Sequence, residues 1–350
     1  MKFCNTNLKH YTFPLATAFC VALSGCGGGD DSTAATSGST DTLTAVVITE
    51  ANMADVAGAA IMASSANNYG TSGAGLVMGV ETTSMPAPTD TLLKLTVDQA
   101  KAANSRLGAQ DIVVGVQSTE TIACGVSGSM TYTFDLQSTS STFAAGDRIG
   151  VSFNACQESD GTLMNGGMQI TIHSFSGFTD PYNPVGSMNF SASYSNFSIS
   201  TPQGGFTTNG AMTIGATITA TGASMTIQAS SVSFVVESNG ERMSLTLSSL
   251  NQQVSEDSDK FQMTVSEHFA ADFPRFAGSG DVTTLAPLIE YWTTGIASGK
   301  FKVTGNASAL YVTFLGGDAV YLELDRDNDG TIDATANKTL YELDPTIGVI

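Results

Sequence analysis

The feature that most constrains the fold of this chain is a period-two alternation of apolar and polar residues that begins near Ile112. It is clearest in four segments: residues 130–136, 168–172, 212–218 and 243–247. Side chains of a β-strand point alternately to its two faces, so each segment indicates a strand with one buried and one polar face. The alternation predicts a mainly β fold. We expect a large curved antiparallel meander, as a partly closed or barrel-like sheet with short N-terminal helices.

A short motif recurs within these segments: a glycine, one further residue and a methionine. It begins at Gly128, Gly166, Gly186 and Gly210. We interpret each glycine as a turn residue that precedes the first inward side chain of a new strand. The irregular spacing argues against a solenoid of fixed repeat length. The methionines are then core residues, or alternatively they line a cleft for a lipid or another apolar ligand.

The residues before the β segments have a different pattern. Apolar residues between positions 50 and 66 recur at helical spacing, and Thr89-Asp90 is a cap for a second helix ending near Ser105. The sequence therefore predicts a helical segment over residues 45–107 and a β domain over residues 108–350.

The start of the chain carries a targeting signal. An apolar stretch over residues 11–23 follows a short basic segment and is too short to span a bilayer comfortably. It ends in Leu23-Ser24-Gly25-Cys26, which resembles the lipobox of bacterial lipoproteins. The resemblance implies that residues 1–25 are a signal peptide and that Cys26 carries lipid. Residues 26–44 are rich in Gly, Ser and Thr, so we expect a flexible tether there.

The residue after the lipidated cysteine bears on the destination. In the enterobacterial sorting pattern, an aspartate directly after the lipidated cysteine resembles a signal for retention in the inner membrane. This chain has Gly27 at that position, so the resemblance implies the outer membrane. The lipid on Cys26 would be the contact with that membrane.

Charge limits the other partners. The formal net charge is −19 at pH 7, while charged residues make up only 13% of the chain. A strongly acidic protein disfavours nucleic acid and anionic headgroups and favours cations.

The cysteines predict one disulfide. Cys4 and Cys20 leave with the signal peptide and Cys26 is lipidated, so Cys124 and Cys156 remain as a pair in an oxidising compartment. They stand at the outer ends of two candidate strands that a turn-rich stretch over residues 138–146 would fold into a hairpin. The alternative is two buried free thiols.

An acidic segment near the C-terminus indicates a metal site. It has aspartates at its first, third, fifth and ninth positions and Gly330 at its sixth, which matches the first part of an EF-hand loop. The segment resembles the calcium loops of EF-hand, dockerin and thrombospondin type 3 repeats. The expected ligands of this calcium (Ca2+) loop are Asp325, Asp327, Asp329, the carbonyl of Thr331, and Asp333.

Two departures separate the segment from an EF-hand. Ala336 occupies the twelfth position in place of the bidentate glutamate, and residues 320–324 alternate like a strand instead of a helix. We therefore expect a calcium loop between two strands, with a structural role. The alternative is a solvated acidic turn.

The sequence shows no catalytic motif. His173 and His268 are interpreted as surface or hydrogen-bonded histidines, and there is no nucleophile elbow, phosphate-binding loop or zinc-protease motif. Trp292 is the single tryptophan, which gives no indication of a sugar-stacking platform. Paired carboxylates, as in glycosidases, stay open because sequence does not reveal their separation.

These observations favour a non-enzymatic, lipid-anchored protein of the outer membrane with a structural calcium site and a binding or scaffolding role. The pattern resembles β-rich bacterial lipoproteins that end in a strand, a DxDxDG loop and a strand. One alternative is a carrier whose curved sheet holds a lipid or apolar ligand, and another is an envelope hydrolase with paired carboxylates.

Overall fold

Fourteen consecutive strands of the described chain form one antiparallel sheet. The computed structural model describes residues 43–65, 117–137, 144–177, 185–202, 204–238 and 241–344. Each strand pairs with its neighbours in sequence, and within the described strands β1 and β14 are not paired with each other. The predicted mainly β meander is therefore confirmed, and its sheet is open.

The strands lengthen toward the middle of the sheet. Their bounds are β1 Ser118–Ala123, β2 Ser127–Asp135, β3 Arg148–Gln157, β4 Leu163–Gly177, β5 Gly186–Thr201, β6 Gly204–Thr219, β7 Gly222–Ser238, β8 Glu241–Asp257, β9 Lys260–Phe273, β10 Phe276–Tyr291, β11 Gly295–Thr304, β12 Ala309–Gly316, β13 Ala319–Asp325 and β14 Ala334–Thr339. Two helices complete the described structure: α1 Met53–Ser65 and α2 Leu340–Leu343.

The predicted alternation places the apolar side chains on one face of the sheet. Three of the repeat methionines are buried on that face, Met168, Met188 and Met212, and the fourth, Met130, is partly buried against it. Burying a side chain of this size stabilises a fold by about 1.5–3 kcal/mol. The methionines of the motif are thus core residues of the sheet.

Two glycines of the motif have a different role from the predicted one. Gly166 and Gly210 lie inside β4 and β6, so the turn interpretation is wrong for them. Gly166 has a φ of 78°, and a Cβ there would lie 2.0 Å from the carbonyl oxygen of Asn196 on β5. Asn196 itself has a φ of 46°. The two strands shift register at this point, so the glycine serves a β-bulge.

Helix α1 lies within the predicted helical stretch at residues 50–66. Buried alanines and larger apolar residues occupy most of its surface, including Val56, Ala60 and Ile61. A helix that is apolar nearly all round belongs in a protein interior. It packs against β9, β10, β12, β13 and α2.

The segment before α1 is attached to the sheet by its backbone. Val46 donates its amide hydrogen to the carbonyl of Ser279 on β10 at 3.0 Å, and Ser279 donates to Thr44 at 3.1 Å. The Ile48 amide donates to the Ser308 hydroxyl at 2.9 Å. The attached segment starts at Leu43, whose carbonyl accepts from the Ser279 hydroxyl and which the sequence assigned to the tether.

Several predicted features lie outside the described residues. They are the signal peptide over residues 1–25, lipidated Cys26, most of the tether and the second helix ending near Ser105. Within the described part of the chain, neither helix has the length and apolar character that crossing a membrane requires.

Candidate metal site

The acidic segment forms the loop of the last hairpin, between β13 and β14. Leu324 pairs with Ala334 across the hairpin, and the Asp333 amide donates to the Leu324 carbonyl at 2.8 Å. Asp325 is the last residue of β13 and Ala334 the first of β14. The loop therefore lies between two strands, as the alternating residues before it predicted.

Three of the predicted ligands converge. One carboxylate oxygen from each of Asp325, Asp327 and Asp333 lies within 4.8 Å of the others. Oxygen ligands lie about 2.3–2.6 Å from a calcium ion, so two ligands of one ion are at most about 5 Å apart. The separation fits a single hard cation, and the all-oxygen donor set suits calcium or magnesium.

Asp325 organises the loop around its carboxylate. Its side chain is 0% exposed. One oxygen accepts the Asp329 amide hydrogen at 3.0 Å, and the other accepts the Gly330 amide hydrogen at 2.8 Å. Gly330 has a φ of 94°, a conformation that a residue with a Cβ rarely adopts, which explains a glycine in this turn. The buried carboxylate thus fixes the loop backbone.

The fourth predicted carboxylate, Asp329, does not join the converging group. The Oδ1 of Asp329 accepts the Thr331 amide hydrogen at 2.7 Å, and the side chains of both residues are exposed. The cluster of carboxylates contains Asp325, Asp327 and Asp333. Coordination by Asp329 and by the Thr331 carbonyl stays a prediction.

Two basic side chains, one in the loop and one beside it, form contacts that hold the loop in place. Arg326 forms an ion pair with Glu50, just before α1, and its amide donates to the Asp333 carboxylate at 2.8 Å. Lys302 on β11 donates to the Asn328 side chain at 3.1 Å. The loop is therefore tied to both the N-terminal segment and the neighbouring sheet.

Comparison with known proteins gives no relative from which the role of this site could be inferred. No family model, no curated protein and no solved structure matches this chain. The assignment of a function rests on the residues and their geometry.

The predicted disulfide is present. Cys124 precedes β2 and Cys156 lies in β3, and their Cα atoms are 5.4 Å apart across the bridge. Glu158 is close to both sulfur atoms. Because sulfur in a disulfide is not a thiolate, this group is not a metal site in the oxidised protein.

Both predicted histidines have hydrogen-bond partners on the polar face. His173 Nε2 lies 3.0 Å from the Ser191 hydroxyl, and His268 Nδ1 lies 2.9 Å from the Asp281 carboxylate. Their interpretation as surface or hydrogen-bonded histidines is confirmed.

Sequence reasoning missed a buried carboxyl on the inward face of β9. Glu267 on β9 is 2% exposed and is the neighbour of His268. The signal was available, because Glu267 continues the inward series Phe261, Met263, Val265 at a spacing of two.

Proposed function

We propose that this chain is a non-enzymatic, lipid-anchored protein of the bacterial outer membrane that serves in binding or scaffolding. A calcium ion in the loop over residues 325–333 would fix its last hairpin. The observation that carries the proposal is the convergence of the Asp325, Asp327 and Asp333 carboxylates within 4.8 Å at a strand end.

The chemistry of the loop supports a structural cation. Asp325 is buried and its carboxylate accepts hydrogen bonds from backbone amides. Three nearby carboxylates repel one another, and a divalent cation among them replaces that repulsion with attraction. Asp325 ends β13 and Asp333 precedes β14, so one ion bound to both would hold the hairpin closed.

The position of the loop links the ion to the anchored end of the domain. Arg326 pairs with Glu50, and Glu50 follows the segment that bonds to β10. A calcium ion would therefore stiffen the loop beside the point where the proposed tether enters the domain. That arrangement suits a rigid body held at a membrane surface.

Calcium-dependent stability tests the proposal. We expect 10 mM calcium to raise the Tm of the mature lipoprotein in detergent by about 3–8 °C over the value in chelator, from a dissociation constant of about 10⁻⁴–10⁻³ M. Differential scanning calorimetry measures the shift. Asp327→Asn should abolish it because it removes a converging carboxylate whose side chain is exposed.

The matched control is Asp318→Asn. Asp318 is an exposed aspartate in the turn before β13, so this variant removes the same charge away from the ion loop. It should keep the full calcium shift. A wild-type protein without a shift, or an equal shift in Asp327→Asn, contradicts the calcium site.

A further inference from the structure

One carboxyl interrupts the apolar inward face of β9. The buried residues of this strand alternate with partly exposed ones and are apolar except for Glu267: Phe261, Met263, Val265, Glu267, Phe269, Ala271 and Phe273. Gln252 holds a similar place in the inward series of β8 and is 0% exposed. Buried polar side chains cost free energy, so two of them together call for a function or a compensating contact.

Both side chains contact the C-terminal end of α1. The Ser64 hydroxyl donates to Glu267 Oε1 at 2.9 Å, and Gln252 Nε2 donates to the Ser64 carbonyl at 3.2 Å. The Glu267 Oε2 atom is buried and has no hydrogen-bond partner among the described residues. The last turn of α1 is therefore held to the sheet by polar bonds at a buried contact.

The other charged groups on this side of the fold are engaged elsewhere. They are Asp55 on α1, Arg275 after β9, Asp325 at the end of β13 and Asp344 after α2. Arg275 pairs with Asp55 in the first turn of α1 and donates to the Asp344 carbonyl at 3.2 Å. On the inward face of β8 and β10 the charged side chains are Glu256 and Glu290. Both pair with Phe261, which lies six residues before Glu267 on β9. His268 and Asp281 bind each other on the polar face.

The surroundings disfavour the ionised carboxylate. Burial raises the pKa of Glu267 to about 7, and the Ser64 hydrogen bond offsets only part of this effect. The protonated carboxyl is neutral and keeps its Ser64 contact, whereas the ionised form is a charge in an apolar layer.

We propose that Glu267 is the proton-sensitive element of a lock that holds the C-terminal turn of α1 on β8 and β9. In the protonated state the turn is docked. Loss of the proton favours an open state in which the carboxylate reaches water and the turn of α1 leaves the sheet. The lock is tight in acid and loosens as the pH rises through neutrality.

Hydrogen exchange measured by mass spectrometry tests the lock in the mature chain. After correction for intrinsic rates, the opening equilibrium of the α1 amides should rise about 30-fold between pH 5.5 and 8.5, from a carboxyl whose pKa is 4.5 in the open state and about 7 in the docked state. Glu267→Gln keeps the shape and the Ser64 contact without the ionisation. In this variant the opening of α1 should be independent of pH and as rare as in the wild type at low pH.

Glu256→Gln is the matched control. Burial also raises the pKa of Glu256, which lies on β8 near its C-terminal end and away from the α1 contact. This variant should keep the wild-type pH dependence at α1. The lock is overturned by a wild-type α1 that opens equally at both pH values, or by a Glu267→Gln variant with an unchanged pH dependence. It is also overturned if α1 opens only as rarely as β5, because the helix would then open only with the whole sheet.

Discussion

At the scale of single residues, a polar group buried in this sheet makes the stability of the protein depend on pH. For Glu267 the folded-state pKa of about 7 exceeds the ordinary value of 4.5. The folded state therefore holds a proton that the unfolded state releases between these pH values, so the free energy of unfolding falls as the pH rises through this window. Above neutral pH the free energy of unfolding is lower by about 3 kcal/mol than below pH 4.5, where the loss is absent.

Residues in left-handed backbone conformations are a second residue-scale feature. We expect Gly166→Ala to lower the free energy of unfolding by at least about 2 kcal/mol, through backbone strain and collision with the neighbouring strand. A Cβ at this position would lie 2.0 Å from the Asn196 carbonyl oxygen. Urea unfolding followed by circular dichroism measures the loss.

The control is Gly150→Ala on β3. There the nearest atom to a new Cβ is 3.5 Å away, which is ordinary contact. This variant should change the free energy of unfolding by less than about 1 kcal/mol. Equal losses in both variants would contradict the role given to the bulge at Gly166.

At the scale of elements, pairing between sequence neighbours makes each strand depend on the next. The contacts of β1 are with β2 and those of β3 with β2 and β4, so this end of the sheet is built from local hairpins. The disulfide joins Cys124 and Cys156 here, across a sequence separation of 32 residues. It links the start of β2 to the end of β3, next to the terminal strand β1, which among the described strands pairs on one side only.

Removal of the disulfide should weaken the protein measurably. We expect the double variant Cys124→Ser, Cys156→Ser to lose about 3–4 kcal/mol of unfolding free energy, from the loop entropy that the bridge removes from the unfolded chain. Urea unfolding with and without dithiothreitol provides the measurement. Dithiothreitol should lower the free energy of unfolding of the wild type by the same amount as the double substitution does. It should leave the free energy of unfolding of the double variant unchanged. A loss below about 1 kcal/mol would show that the bridge is not a stability element.

At the scale of the whole molecule, charged residues are concentrated in the last strands of the sheet and are missing from its centre. Residues 186–236, which build β5, β6 and most of β7, contain no Asp, Glu, Lys or Arg. The segment over residues 318–344 holds eight acidic and two basic residues. The long central strands thus meet solvent with hydroxyl and amide groups, while the acidic hairpin contacts the N-terminal segment through Arg326 and Glu50.

The proposed attachment of the molecule is tested at Cys26. The variant Cys26→Ser should shift the protein from the membrane fraction to the soluble fraction of a bacterial host, because the proposed lipid would be attached to the cysteine sulfur. Fractionation and metabolic labelling with a fatty acid measure this outcome. Cys20→Ser, a cysteine within the proposed signal peptide, is the control and should remain labelled. Labelling of Cys26→Ser would contradict the lipobox.

The sequence by itself determined the strands, the disulfide partners and the strand-flanked acidic loop. These features follow from local rules: a side-chain period of two, an even cysteine pair beside a turn, and aspartates at alternate positions before a glycine. Such signals lie within a few residues of one another. They do not depend on how distant parts of the chain meet.

The tertiary structure decided what depends on contacts between distant residues. Ser64 meets Glu267 and Glu50 meets Arg326 only because α1 and the segment before it pack on the later strands. The bulge at Gly166 depends on Asn196 of the next strand, so a glycine inside a strand resembled a turn in the sequence. The exclusion of Asp329 from the converging carboxylates follows from its bond to the Thr331 amide, a loop geometry that spacing does not encode.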